Sequence, residues 1–154
     1  MKDRWLPVGV LAGVLFLVNV IVRLVIRLGF NGDTAAEDRA TLVMFTVIGL
    51  ISAGVVFVWG RRRPAARWTT DLGAALLAAM LLTVLVGPFI SGGSPFSRGA
   101  GDFFTQIWIY ALFTLGGAAL GYLLLMALGW DYRSQSLKRF ADAKLSRPRR
   151  VIRR

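Results

Sequence analysis

The sequence predicts an all-α integral membrane protein whose four transmembrane helices form an antiparallel bundle, and three observations predict it. Apolar residues make up 56% of the 154, against roughly 45–50% in a typical soluble domain. They gather in four runs, each close to the ~20 residues that a helix needs to cross a ~30 Å hydrocarbon core. The Lys and Arg residues fall almost wholly into alternate loops between those runs. Mean hydropathy is +0.61. The runs are unbroken rather than alternating, which excludes the pattern of an outer-membrane barrel.

The spans are expected at about 5–29, 36–60, 71–90 and 103–130, within a transmembrane domain covering 1–132. The first runs from Trp5 to Val22 without a charge and continues past Arg23 and Arg27. Lys2 and Arg4 before it imitate a signal peptide, but the run exceeds a 7–15-residue h-region and no small-x-small cleavage site follows closely, so it reads as a retained helix. Asn31-Gly32 reads as a turn, and Thr34 to Glu37 as a capping box that opens the second helix. Asp71 and Asp102 suit the N-termini of the third and fourth helices. The fourth run exceeds what a bilayer requires, so tilt or protrusion is expected. Beyond Trp130 the chain is expected to stay helical, as a short cytoplasmic amphipathic segment with Leu137, Phe140, Ala141 and Leu145 on one stripe. Pro148 ends it, and 133–154 forms a basic tail.

Orientation follows from the loop charges. Lys2 and Arg4, then Arg61, Arg62, Arg63 and Arg67, then the nine Lys and Arg from Arg133 onward lie on one side; Arg39 and Arg98 lie on the other. That imbalance puts both termini in the cytoplasm. Trp5, Trp59, Trp68, Trp130 and Tyr132 mark the cytoplasmic boundary, and Phe30, Phe89, Phe103, Phe104 and Trp108 the outer one, where amphipathic rings prefer to sit. Arg outnumbers Lys 16 to 3, the bias of a GC-rich, bacterial genome, so the cell membrane is the expected site.

Small residues recur at helical spacing and mark expected packing seams: Gly9 and Gly13; Gly49 and Ala53; Ala75, Ala79 and Thr83; Gly117 and Gly121. Small faces let backbones approach closely, within one bundle or between copies or partners.

The charge pattern narrows the chemistry. With no Cys and no His, a disulfide framework, a Cys/His zinc site, a Cys nucleophile and His acid–base catalysis are all excluded. No metal, no cofactor and no enzymatic activity are expected. Asn19, Arg23 and Arg27 are spaced i, i+4, i+8 within the first span. An intramembrane charge suggests function, and with Arg98 these residues form a candidate contact for an anion or a partner. The alternative is structural: Arg23 lies about 27 Å along the helix from Trp5, at the outer interface, and Arg27 falls opposite Glu37 and Asp38, where an ion pair would account for it. Residues 91–102 are rich in Gly and Ser and read as a connector. Arg61, Arg62, Arg63 and Arg67, with Arg147, Arg149, Arg150, Arg153 and Arg154, are expected to contact anionic inner-leaflet lipids. Nucleic acid is not an expected partner, because no binding fold accompanies the charge.

The expected function is therefore non-enzymatic: an accessory, assembly or scaffold subunit with a membrane-protein partner or self-association. The alternative is a small homo-oligomeric transporter or lipid-handling protein that receives an anionic headgroup or solute at the Asn19/Arg23/Arg27 face.

Overall fold

The computed structural model describes residues 2–29, 34–90, 92–96 and 99–145. Among them there is no strand. The helices are α1 (Lys2–Gly29), α2 (Thr34–Arg62), α3 (Ala65–Ile90), α4 (Ala100–Ala127) and α5 (Tyr132–Leu145). Four helices are long and apolar enough to cross a membrane. Leu17, Leu50, Trp108 and Leu112 are all more than half exposed. Water would not tolerate so continuous an apolar surface, whereas lipid covers it. Asn31, Gly32, the Thr34 hydroxyl, Arg98 and everything from 146 onward lie outside the described residues.

Two helix boundaries differ from expectation. α3 begins at Ala65, not near Asp71. Pro64 holds the extended conformation, with φ −62° and ψ 147°, just before the first turn, and Ala65-Ala66 then favours helix at once. Hydropathy marks where the apolar run begins, not where the backbone starts to coil. Asp71 is therefore no terminal cap: it lies buried in the second turn, and its Oδ2 sits 3.3 Å from Arg63 Nη1. The other difference follows α4, which does not run on into the tail. Gly129 adopts φ +61°, its N–H donates to Met126 O at 2.9 Å, and the Trp130 N–H donates to Leu125 O at 3.2 Å. This pair of bonds is a Schellman stop, which favours glycine at the left-handed position. α5 restarts at Tyr132, and no residue of it is buried.

α2 and α4 make the closest pairing. A Cβ on Gly49 would lie 2.9 Å from Phe113 O. One on Gly117 would overlap the Gly49 backbone, and one on Gly121 the Ala53 backbone. Phe45 stacks on Phe113 at 5.9 Å and meets Tyr110 edge-on at 6.4 Å. α1 packs chiefly on α3 and α2, with Val8, Leu11, Ala12, Leu15 and Asn19 buried. Gly9 and Gly13 are exposed, with no described residue within 4 Å of where their Cβ atoms would be. The seam expected on α1 therefore turns inward on its leucines and outward on its glycines. In α3, Ala75, Ala79, Thr83 and Gly87 are all buried.

Within α3 the helix widens to a π-helical stretch at Leu82–Val86, where the Gly87 N–H donates to Leu82 O, five residues back. Pro88 follows. A proline has no N–H for the carbonyl four residues earlier and its ring crowds that carbonyl, so a wider turn just ahead of it relieves the clash.

Candidate functional site

The widened part of α3 faces the charged part of α1. Asn19 is fully buried. Its Oδ1 accepts from Arg23 Nε at 3.0 Å, and its Nδ2 donates to Met44 Sδ on α2 at 3.2 Å. The i, i+4 spacing brings the amide beneath the guanidinium. Gly87 passes directly over this pair: a Cβ there would lie 2.9 Å from Arg23 Nε and 3.0 Å from Asn19 Oδ1. The absence of a side chain at 87 is what admits the pair beside α3.

Arg27 sits one turn further along. Its Nη1 donates to Ile90 O at 2.9 Å. This bond engages one nitrogen of the guanidinium, and Glu37 and Asp38, expected opposite Arg27, line the same cavity. The end of α3 leaves carbonyls without helical donors, and Arg27 takes one of them.

Above these residues opens a cavity of about 410 Å³, walled by parts of α1, α2, α3, α4 and the 92–95 connector. Arg23 and Arg27 line it, and so do Glu37, Asp38 and Asp102. The lining is thus of mixed charge rather than simply basic. Thr41, Thr83 and Gln106 supply neutral polar groups, and Met44, Phe45, Pro88 and Phe103 supply apolar wall. Spacing along the chain puts Glu37 and Asp38 opposite Arg27; Asp102 is not apparent from it, because it lies far in sequence from Arg27. Among the described residues, no group of three or more His, Cys, Asp or Glu is placed to hold a metal ion.

Thr83 stands apart from the other threonines. Thr41, Thr46 and Thr114 each donate to the carbonyl four residues back at 2.7–2.8 Å. Thr83 is 3% exposed and its Oγ1 has no partner. It lies inside the widened turn, where the regular carbonyl register is lost. The Tyr110 hydroxyl is likewise buried without a partner.

The basic residues expected to meet lipid lie at the other ends of α2 and α3. Arg63 is committed within the chain, paired to Asp71 and lying over the Trp59 ring at 5.2 Å. Arg61 lies over Trp130 at 4.7 Å. Arg62 and Arg67 are exposed. Arg98, Arg147, Arg149, Arg150, Arg153 and Arg154 lie outside the described residues.

Four apolar helices and an apolar exterior are compatible with a multi-pass helical membrane protein. Beyond that class, no protein-family model, no curated protein and no solved structure matches this chain.

Proposed function

We propose that the protein is a non-enzymatic accessory, assembly or scaffold subunit of a larger complex in the cytoplasmic membrane of a bacterium. In this reading the four spans form an antiparallel bundle with both termini in the cytoplasm. α5 lies along the inner surface as an amphipathic helix, and the basic tail meets anionic lipid. The observation that carries the reading is the outward face of α1. Gly9 and Gly13 are spaced for close helix approach, yet no described residue lies within 4 Å of where their Cβ atoms would be. A second helix fits there without rearrangement of the core.

The cavity supports a second reading. Its buried Thr83 hydroxyl and mixed charges suit a solute or headgroup bearing both an acid and an ammonium group, held by a homo-oligomer at the Asn19/Arg23/Arg27 face.

Native mass spectrometry of the protein drawn gently from its own membranes separates the two readings. The scaffold reading expects a heteromeric mass with a reproducible second protein. It expects Gly13→Leu to abolish that mass while the purified chain keeps its melting temperature. A homo-oligomer carrying a bound zwitterion, with no second protein, would overturn it in favour of the cavity.

A further inference from the structure

At the end of the molecule remote from that cavity, α5 folds back beside the last turns of α2 and encloses a cleft of about 580 Å³. We infer that this cleft is a binding site for a phosphate-bearing anion, presented by the headgroup of an anionic phospholipid. The inference rests on how the cleft is lined, not on the number of basic residues near it.

Three arginines line it: Arg61 and Arg62 from α2, and Arg139 from α5. No carboxylate is among the described residues that line it. Of the acids near this end, Asp71 pairs with Arg63, Asp131 accepts from the Ser134 backbone N–H at 3.0 Å, and Asp142, three residues past Arg139 on α5, is outside the lining. Three like charges around one space repel one another, and a bound anion relieves that repulsion. Guanidinium groups match phosphate oxygens in pairs, which a looser ammonium does not. The hydroxyls of Tyr132 and Ser136 add neutral polar groups to the lining.

The site is also held in shape. Arg61 is fixed over the Trp130 ring at 4.7 Å, and that ring packs on Phe57 at 6.0 Å. Gln135 Nε2 donates to Trp130 O at 2.6 Å, which ties the first turn of α5 to the end of α4. A phosphate entering the cleft therefore meets a partly positioned set of donors.

The lipid as source follows from the remaining wall. Phe57 and Val58 belong to the apolar stretch of α2, so the cleft is continuous with the surface that acyl chains cover. Beside it, Leu137, Phe140 and Leu145 of α5 are 61%, 67% and 84% exposed. A headgroup in the cleft would place its chains along Val58 and that stripe. Free phosphate would use the guanidinium groups and leave the apolar wall bare.

The test uses the full-length protein in nanodiscs of phosphatidylcholine mixed with phosphatidylglycerol, with retained lipid read by native mass spectrometry. Phosphatidylglycerol is expected to be retained in preference to phosphatidylcholine. Arg62→Ala and Arg139→Ala are each expected to weaken that retention about tenfold, and Arg67→Ala, outside the cleft, to leave it unchanged. Arg61 is left in place because it packs on Trp130. Equal retention of the two lipids would overturn the site, as would equal losses from Arg67→Ala and the cleft variants. Displacement of the lipid by millimolar inorganic phosphate would overturn the lipid as source and assign the cleft to a soluble phosphate.

Discussion

Gly117 and Gly121 of α4 and Gly9 and Gly13 of α1 have the same spacing and opposite surroundings. The α4 pair lies against the backbone of α2 so closely that any Cβ would collide with it. The α1 pair meets no described residue. In water, burial would sort the two, because an apolar face exposed to solvent is unfavourable. In lipid both faces of a helix are apolar, and neither glycine pair gains from leaving the solvent. A small-residue stripe therefore says that a helix can be approached, without saying by which helix. The neighbours decide: α4 offers Tyr110 and Phe113 to Phe45 of α2 in the turns just before its glycines, whereas α1 buries leucines instead.

Adding bulk at the two pairs breaks or sharpens the contrast, and it should produce the largest effect. Gly117→Leu has no space to enter and the obstacle is backbone, which cannot rotate aside. The α2–α4 pairing should lose about 3 kcal/mol or more, seen as a collapse of the melting temperature in detergent. Gly9→Leu should stay within about 0.5 kcal/mol of the parent. Equal losses at the two positions would mean that α1 has an inward glycine contact after all.

A middle-sized effect tests why α1 turns its polar side inward. Asn19→Leu keeps the bulk but removes the acceptor 3.0 Å from Arg23 Nε and the donor to Met44 Sδ. Arg23 keeps a further partner, so the change should cost about 1–3 kcal/mol rather than unfold the chain. Thermal unfolding measures it. No loss would make Asn19 a space-filling residue and return the positioning of α1 to Leu11 and Leu15 alone.

How far the sequence reaches is visible in these same residues. Four spans are legible because a chain this short has no core large enough to bury four apolar runs of about 20 residues, so lipid must cover them. The buried Ala75, Ala79, Thr83 series in α3 is legible from its period of four. The start of α3 is not, because a hydropathy run carries no information about a helix that begins in polar sequence; Pro64 does carry it. Nor is the stop at Gly129 read from hydropathy, since Leu128 and Trp130 are as apolar as the span before them. The Asn19–Arg23 pair follows from i, i+4 spacing, but the bond of Arg27 to Ile90 O requires knowing that the end of α3 comes alongside α1. The place of Asp102 beside that charge depends in the same way on where the helix ends meet. Along the chain Arg139 is one more charge in a basic tail; its place opposite Arg61 and Arg62 depends on the turn at Gly129.

That turn also sets the smallest of the expected effects. α5 buries no residue, so its start relies on local bonds rather than on packing. Asp131 provides one, accepting from the Ser134 N–H three residues on at 3.0 Å, the geometry of an N-cap. Hydrogen bonds from the Ser134 side chain and backbone hold the Asp131 carboxyl below its ordinary value of 3.8. A carboxyl whose folded pKa lies below its unfolded one stabilises fully above the unfolded value, and that contribution fades as pH falls through it toward the folded value. Protection of the first-turn amides of α5 against hydrogen exchange, corrected for intrinsic rates, should accordingly hold steady from neutral pH down to about 4 and decline below that. The α2–α4 pairing has no titratable group at its glycine contacts and should hold through the same range. Asp131→Asn keeps a capping oxygen without the charge, so its first turn should lose the pH response while staying helical. A decline shared by the variant would place the acid sensitivity elsewhere in the turn and leave the carboxylate as a cap that any neutral acceptor replaces.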